Sequence, residues 1–267
     1  MERHSTQTRG FTMLDKLIKN RFLFEELIKR DFNKKYKRTV LGVLWSMLAP
    51  LLTLLVMAVV FSHLFGRTIP HFIIYMFAGN LVYFYFREST NGGMNALVAN
   101  ASIFTKVNVP KYLFLFSKNV SSLINFGLTL VIFFMFVMID GIPFTWKFLL
   151  LIYPIACLLI FNVGMGLILS ALFVFFRDMQ YLYDVFTMML MYLSAIFYSV
   201  DAYPIHVQEL FLLNPIYVYI KYFRMIVIYG TIPSIQYHLL CAFYAVVIFL
   251  IGAVIYKRYN YKFLYYV

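Results

Sequence analysis

The sequence predicts an all-α integral membrane protein with six transmembrane helices, and three observations support this fold class. Of the 267 residues, 63% are hydrophobic and 13% are charged, and the mean hydropathy is +0.81. A typical soluble domain has about 45–50% apolar and about 25% charged residues, so the composition excludes a soluble globular domain and a disordered chain. The apolar residues also gather in six long runs, and the basic residues lie mostly on one side of those runs.

Each apolar run approaches or exceeds the length of about 20 residues that a helix needs to cross roughly 30 Å of hydrocarbon. The runs cover approximately residues 41–62, 71–86, 112–139, 148–176, 182–200 and 239–256. They contain almost no ionisable or metal-binding side chains. Pro50 lies in the first run and is expected to kink that helix. The chain therefore divides into a cytoplasmic N-terminal segment, residues 1–40, and a six-span membrane domain, residues 41–267.

The basic residues orient the six spans. Nineteen of the 23 Lys and Arg residues lie in the first 40 residues, the second and fourth connections and the C-terminal tail, and four lie in the other connections. Cytoplasmic loops carry the excess of Lys and Arg, so both termini are expected in the cytoplasm. The formal net charge of +12 then suits contact with anionic lipid of the cytoplasmic (inner) membrane better than binding to nucleic acid.

Two segments outside the spans have distinctive patterns. Residues 14–38 combine apolar side chains at helical spacing, such as Phe24, Ile28 and Phe32, with many basic ones, which predicts an amphipathic interfacial helix. Residues 211–220 are apolar but too short to span, and Asn214-Pro215 interrupts them. They predict a re-entrant helical hairpin between spans 5 and 6, because broken backbone at membrane depth is tolerated only against protein or a water-lined cavity.

The residue pattern indicates no catalytic and no metal site. The histidines lie at span edges, in the outer stretch or in the N-terminal tail, and no carboxylate pair is placed for acid–base work. The phosphate-binding pattern G-x-x-x-x-G-K-[ST] is absent from the sequence. If the protein moves a substrate uphill, another polypeptide is expected to supply the energy.

The connection between spans 2 and 3 is either a partner-binding segment or a plain linker. Asn91-Gly92-Gly93 is expected to end the second span, and residues 95–104 are expected to form a short helix before residues 106–111 return the chain to the bilayer. The basic cluster Lys34, Lys35, Lys37 and Arg38 also has two interpretations. It can satisfy the orientation rule and bind anionic lipid, or it can gather a lipid that carries a diphosphate.

Aromatic residues make up 20% of the chain, with 30 Phe and 22 Tyr. Most of them are expected to anchor the protein at the membrane interface or to pack in the core. Several Tyr gather towards the outer half, where flat faces and hydroxyls would suit a passage for sugar. The candidate lining residues are Tyr75, Phe84, Tyr85, Tyr192, Phe197, Tyr198 and Tyr217.

Four stretches, in order along the chain, carry a family resemblance. They are Arg30-Asp31-Phe32 with the following residues 36–51, Lys106-Val107-Asn108-Val109-Pro110-Lys111, Phe176-Arg177-Asp178-Met179 and Leu213-Asn214-Pro215. From about residue 25 onwards the chain resembles the type-2 ABC exporter permeases, and most closely their polysaccharide group, which exports O-antigen, capsule and teichoic acid.

The resemblance implies a homodimer bound to two copies of a separate ATPase, which holds ATP and Mg²⁺, while this chain binds no cofactor. It also implies a polymer carried on undecaprenyl diphosphate, with residues 34–38 beside the portal through which that lipid enters. The residues that would couple to the ATPase are Asn95, Asn100, Ile103, Lys106, Pro110, Lys111, Arg177 and Asp178.

Three alternatives stay open at this stage. The same fold could export drugs or simple lipids, which would need less aromatic lining. A membrane-embedded transferase acting on lipid-linked sugars is disfavoured by the missing acidic or histidine cluster. A non-catalytic scaffold is the third.

Overall fold

The computed structural model describes residues 20–36, 39–65, 69–107 and 109–266, without the side chains of residues 34–36, 43 and 63–65, and all regular structure in these ranges is helical. The α-helices are α1 (Arg21–Tyr36), α2 (Trp45–Phe65), α3 (Phe72–Ala99), α4 (Ala101–Phe104), α5 (Tyr112–Ile139), α6 (Ile152–Phe175), α7 (Met179–Leu193), α8 (Ile205–Phe211), α9 (Pro215–Val227), α10 (Ile235–Tyr259) and α11 (Phe263–Tyr266). Short 3₁₀ turns at Gly42–Leu44 and Trp146–Leu151 lead into α2 and α6.

Four helical segments of the described chain are long and apolar enough to cross a membrane: Trp45–Ser62, Tyr112–Ile139, Trp146–Phe175 and Ile235–Tyr259. They correspond to the first, third, fourth and sixth predicted spans. The pair α8 and α9 is a fifth candidate, bent by 108° at its break. The helices at the second and fifth predicted spans, α3 and α7, fall outside this set. The multi-pass, all-helical class is confirmed, and the count of six spans stays a prediction.

The prediction that Asn91-Gly92-Gly93 ends the second span is wrong. Helix α3 continues to Ala99, and of residues 95–104 only Ala101–Phe104 form a separate helix. Gly93 serves helix packing instead of a turn, because a Cβ added to it would lie 2.9 Å from the Cα of Gly166 in α6. The two backbones can approach closely only while both positions lack side chains.

The longer α3 carries an ionisable group beyond the predicted second span, residues 71–86. Glu88 lies within this helix, and its Oε1 accepts a hydrogen bond of 2.7 Å from Nδ2 of Asn125. Asn125 lies about 20 Å along α5 from the first residue of that helix, which is near its middle. The carboxylate of Glu88 is thus satisfied by an amide donor on the neighbouring helix.

The fifth predicted span, residues 182–200, is too long at its C-terminal end. Helix α7 ends at Leu193, and residues 194–200 form turns in which Ala195 has a positive φ of 51°. Arg224 of α9 donates hydrogen bonds to the carbonyl oxygens of Ala195 and Ile196, at 2.9 and 3.0 Å. These carbonyls need no helical donor, so the apolar run can continue where the helix stops.

The Asn214-Pro215 break between α8 and α9 has a clear local cause. The side-chain oxygen of Asn214 accepts hydrogen bonds from the backbone N–H groups of Ile216 and Tyr217, which caps α9, and Pro215 occupies its first position. The amide nitrogen of Asn214 donates to the carbonyl oxygen of Leu193 at the end of α7. One side chain therefore starts α9 and fastens it to the end of α7.

The long helices alternate in direction, and one end of the bundle has its own buried cluster. Leu97, Phe114, Val174 and Tyr256 bring together the last turns of α3, α6 and α10 with the first turn of α5. We call this end the basic end, because Lys111, Lys118 and Arg177 lie there. Leu27 of α1 and Phe263 of α11 belong to the same cluster, so both the first and the last described helix lie at the basic end.

Helix α1 packs on the bundle along one face. Leu27 is buried, and the buried Asp31 forms ion pairs with Nζ of Lys118 in α5 at 3.1 Å and with the guanidinium of Arg30 at 2.9 Å. The helix predicted over residues 14–38 is therefore confirmed for Arg21–Tyr36. Residues 14–19 and 37–38 lie outside the described residues.

Candidate functional site

The predicted coupling residues lie at the basic end, but they differ in what they contact. Asn95 lies inside α3 and not in a separate helix, and its amide donates to the carbonyl oxygen of Asn91 at 3.0 Å. Ile103 packs against the cluster of the basic end. Lys106, Arg177 and Asp178 are exposed, and the Arg177 guanidinium lies 5.3 Å from the ring centre of Phe173. Of the predicted coupling residues, these three present charge at the surface where a partner could dock.

Asn100 is buried at the break between α3 and α4. Its Nδ2 donates to the carbonyl oxygen of Ala96 at 2.7 Å, and its Oδ1 accepts a hydrogen bond of 2.7 Å from Nη2 of Arg30. Arg30 in turn is paired with Asp31. The N-terminal helix is thus tied to the predicted coupling segment by a pair of residues 70 positions apart. Sequence reasoning found Asn100 but missed Arg30 as its partner.

Lys111 follows Pro110 at the start of α5 and binds the C-terminal segment. Its Nζ donates to the carbonyl oxygen of Asn260 at 2.6 Å and lies 5.8 Å from the ring centres of Phe104 and Phe263. Partial burial of the ammonium lowers the pKa of Lys111. Lys111 therefore connects α4 and α11 within the protein, which distinguishes it from the exposed Lys106.

The seven aromatic residues predicted to line a sugar path do not share one surface. Four are buried in the described structure: Tyr75, Tyr85, Phe197 and Tyr217. Phe84 and Tyr198 are half-buried, and Tyr192 is 57% exposed. Their assignment to a polymer path stays a prediction, and in this arrangement only the last three are accessible.

Arg224 holds the outer part of this aromatic group together. Besides the two bonds to the turn at residues 195–196, its Nε donates to the carbonyl oxygen of Tyr75 at 3.1 Å. The Tyr75 hydroxyl donates to the carbonyl oxygen of Tyr198 at 2.9 Å. Gly79 lies beside the guanidinium, since a Cβ there would lie 2.9 Å from Nη2. The sequence placed Arg224 in the long outer connection, residues 201–238, and no local pattern signals that it fastens α3, α9 and the turn after α7.

A cavity of about 740 Å³ lies between the first part of α2, the central part of α3 and the middle of α5. Its wall contains aromatic rings, including Trp45 and Tyr85, and polar groups, including Asn80 and the bonded pair of Glu88 and Asn125. Thr39 also lines the cavity, and it follows the predicted basic cluster in the sequence. Within that cluster, Lys37 and Arg38 lie outside the described residues, and of Lys34 and Lys35 only the helical backbone is described. Their role beside a lipid portal stays a prediction.

Among the described residues, no group of three or more His, Cys, Asp and Glu side chains is placed to hold a metal ion. The two cysteines, Cys157 and Cys241, are free and buried.

Comparison with known proteins identifies a family that this chain matches. The family model described as ABC-2 type transporter matches residues 23–228 of this chain. The chain is 32% identical over 170 residues to the O-antigen export system permease protein RfbA of Myxococcus xanthus, covering 64% of this chain and 65% of that relative. It is 25% identical to a protein of the same name from Klebsiella pneumoniae over 91% of this chain and 95% of the relative. It is 24% identical to the polysialic acid transport protein KpsM of Escherichia coli over 87% and 92% of the two chains.

Proposed function

The chain belongs to the ABC-2 type transporter family, and from that premise we propose that it is the membrane permease of an ATP-driven exporter of a lipid-linked polysaccharide. The observation that carries this proposal is the likeness to polysaccharide export permeases over about nine tenths of the chain. These relatives favour a polymer such as O-antigen, capsule or teichoic acid over a drug or a simple lipid. They equally disfavour a membrane-embedded transferase. In this proposal the polymer is carried on undecaprenyl diphosphate.

The proposed topology has six spans in the cytoplasmic membrane, with the basic end and both termini in the cytoplasm and α8–α9 as a re-entrant pair at the outer end. Helix α3 has 28 residues, which is about 42 Å and long enough to span. Helix α7 runs antiparallel to α3, because Tyr183 near its start bonds Thr90 and Thr187 further along accepts from Tyr83. The excess of Lys and Arg at the basic end supports its cytoplasmic location.

The proposed assembly contains two copies of this chain and two copies of a separate ATPase that holds ATP and Mg²⁺. The ATPase would dock on the exposed charges Lys106, Arg177 and Asp178 at the basic end. Asn100 and Lys111 would transmit its movement inwards, because they join the docking segments to α1 and to the C-terminal segment. The phosphate-binding loop is missing from this sequence, which supports an ATPase on another polypeptide.

The test is export in a host that lacks this chain. We expect the surface polysaccharide to disappear, the lipid-linked polymer to accumulate inside the cell, and the full-length chain to restore export only when the copurifying ATPase is active. A catalytically inactive ATPase that is still expressed is the matched control. Unchanged surface polysaccharide in the deletion strain, with no ATPase copurifying in mild detergent, would contradict the proposal.

A further inference from the structure

The cavity between α2, α3 and α5 combines features that suit a hydroxylated ring. Its volume of about 740 Å³ falls in the range of roughly 300–1,000 Å³ found for pockets that bury small molecules. Five aromatic side chains belong to its wall, and of these Trp45 and Phe84 are not buried and present ring surface to the cavity. A wall of this kind offers flat apolar faces against which a pyranose ring can pack.

The polar groups of the wall offer both donors and acceptors. Glu88 contributes carboxylate oxygens, and Asn125 and Asn80 contribute amides that can donate and accept at once. Asn80 is 4% exposed, its Nδ2 donates to the carbonyl oxygen of Met76 at 3.1 Å, and its Oδ1 has no hydrogen-bond donor among the described residues. A sugar hydroxyl could supply that donor, and an acyl chain could not.

The charge of the cavity wall favours a sugar over a phosphate as the ligand. Among the described lining residues the only charged side chains are Arg87 and Glu88, so this wall has no net charge. A diphosphate group would meet the Glu88 carboxylate without an excess of cations to offset it. Residues 34–38, which precede Thr39 in the sequence, carry four basic side chains and suit the diphosphate better.

We propose that this cavity is a carbohydrate subsite, in which Glu88, Asn125 and Asn80 hydrogen-bond the hydroxyls of an uncharged sugar ring that packs against the aromatic wall. The choice of a carbohydrate rests on the proposed function. Thr39, which follows the basic cluster in the sequence, also lines this cavity. The subsite thus binds a sugar of the polymer, and the contact proposed between the basic cluster and the diphosphate is separate from it.

The protein contains its own reporter for this proposal. It has two tryptophans, of which Trp45 lines the cavity and Trp146 is 66% exposed elsewhere. In the full-length Trp146→Phe variant in lipid nanodiscs, Trp45 is the single tryptophan fluorophore. The probes are glucose, galactose, mannose, rhamnose, N-acetylglucosamine and N-acetylgalactosamine, and inorganic pyrophosphate at matched concentration and ionic strength.

We expect a saturable change in Trp45 emission with at least one of the six sugars and none with pyrophosphate. In the same background Glu88→Ala should weaken the sugar's apparent affinity at least about tenfold. Glu88→Gln should weaken it less, because the neutral amide keeps one acceptor but loses the charge-assisted bond. The control Glu209→Gln removes an exposed acid in α8 and should change nothing.

Three results would overturn the subsite: no sugar response, an equal response to pyrophosphate, or a sugar response that Glu88→Ala leaves unchanged. The last result would show that the Glu88–Asn125 hydrogen bond joins two helices and takes no part in binding sugar. If no sugar changes the Trp45 emission but the chain still supports export, only the subsite is rejected. If a sugar does change the Trp45 emission but export continues without the chain, only the proposed function is rejected.

Discussion

The guanidinium carbon of Arg224 lies 3.3 Å from the centre of the Tyr75 ring, and Nε of the same group donates to the backbone carbonyl oxygen of Tyr75. Together with the bonds to Ala195 and Ile196, one buried cation fastens three segments that are far apart in the sequence. Arg suits this position because its planar group stacks on a ring and donates in several directions at once.

We predict that Arg224→Ala lowers the free energy of unfolding by about 3 kcal/mol, because it leaves buried carbonyl oxygens without donors and removes the stacking. Arg224→Lys should recover only part of the loss, since a single ammonium cannot reach all three carbonyls. The measurement is denaturant or thermal unfolding of the purified chain in detergent. Arg258→Ala, at an exposed site in α10, is the control. Equal stability of the Arg224→Ala and Arg258→Ala variants would contradict the role of Arg224 in fastening these segments.

A test of the predicted aromatic path requires a substitution that does not also disturb the hydrophobic core. Tyr217 is 3% exposed, so Tyr217→Ala should cost about 3–5 kcal/mol of stability whatever its role in transport. Tyr192 is 57% exposed and can be changed without opening a cavity. We predict that Tyr192→Ala reduces export of the polymer several-fold while the free energy of unfolding stays within about 0.5 kcal/mol of the parent. Full export by this variant would remove Tyr192 from the path.

Gly252 in α10 and Gly127 in α5 provide a matched pair of substitutions. A Cβ added at Gly252 would lie 2.4 Å from the carbonyl oxygen of Gly164, whereas a Cβ at Gly127 in α5 would meet nothing within 4 Å. We predict that Gly252→Ala destabilises the protein by about 1–3 kcal/mol, because the backbones must separate. Gly127→Ala should be neutral or stabilise by about 0.5–1 kcal/mol through helix propensity. Similar unfolding curves for the two variants would show that α6 and α10 are not in close contact.

The sequence predicted the third, fourth and sixth spans to within a few residues, because an uninterrupted apolar run is nearly sufficient to define a membrane helix. It failed at α3 and α7 for opposite reasons. Asn91-Gly92-Gly93 was expected to end the second span, but α3 continues to Ala99 and Gly93 packs against Gly166 of α6. The apolar run predicted a helix up to residue 200, but α7 ends at Leu193 and Arg224 satisfies the carbonyls of the turn that follows. Both errors come from contacts between segments distant in sequence, which a window of hydropathy does not contain.

In the candidate site, too, a local pattern predicted the residues but not their contacts with distant parts of the chain. The motif around Lys106 and Lys111 marked both lysines as candidates for coupling. It could not separate them, because the partner of Lys111 is the carbonyl oxygen of Asn260, 149 residues away. Burial decides between the two, since Lys106 is exposed and Lys111 is partly buried.

This separation gives a prediction for ATPase coupling. Lys106→Glu should weaken ATPase docking or uncouple ATP hydrolysis from export while leaving stability unchanged, because its side chain is exposed to solvent. Lys111→Glu should in addition destabilise the basic end by about 1–3 kcal/mol, since a carboxylate would face the Asn260 carbonyl oxygen and the Phe104 and Phe263 rings.

The measurements are ATP hydrolysed per unit of polymer exported and the unfolding midpoint of each complex. Lys257→Glu, an exposed charge in the last turn of α10, controls for the general effect of reversing a charge at this end. Equal loss of stability in the Lys106 and Lys111 variants, or coupling intact in both, would contradict the assignment of one lysine to the partner and the other to the C-terminal segment.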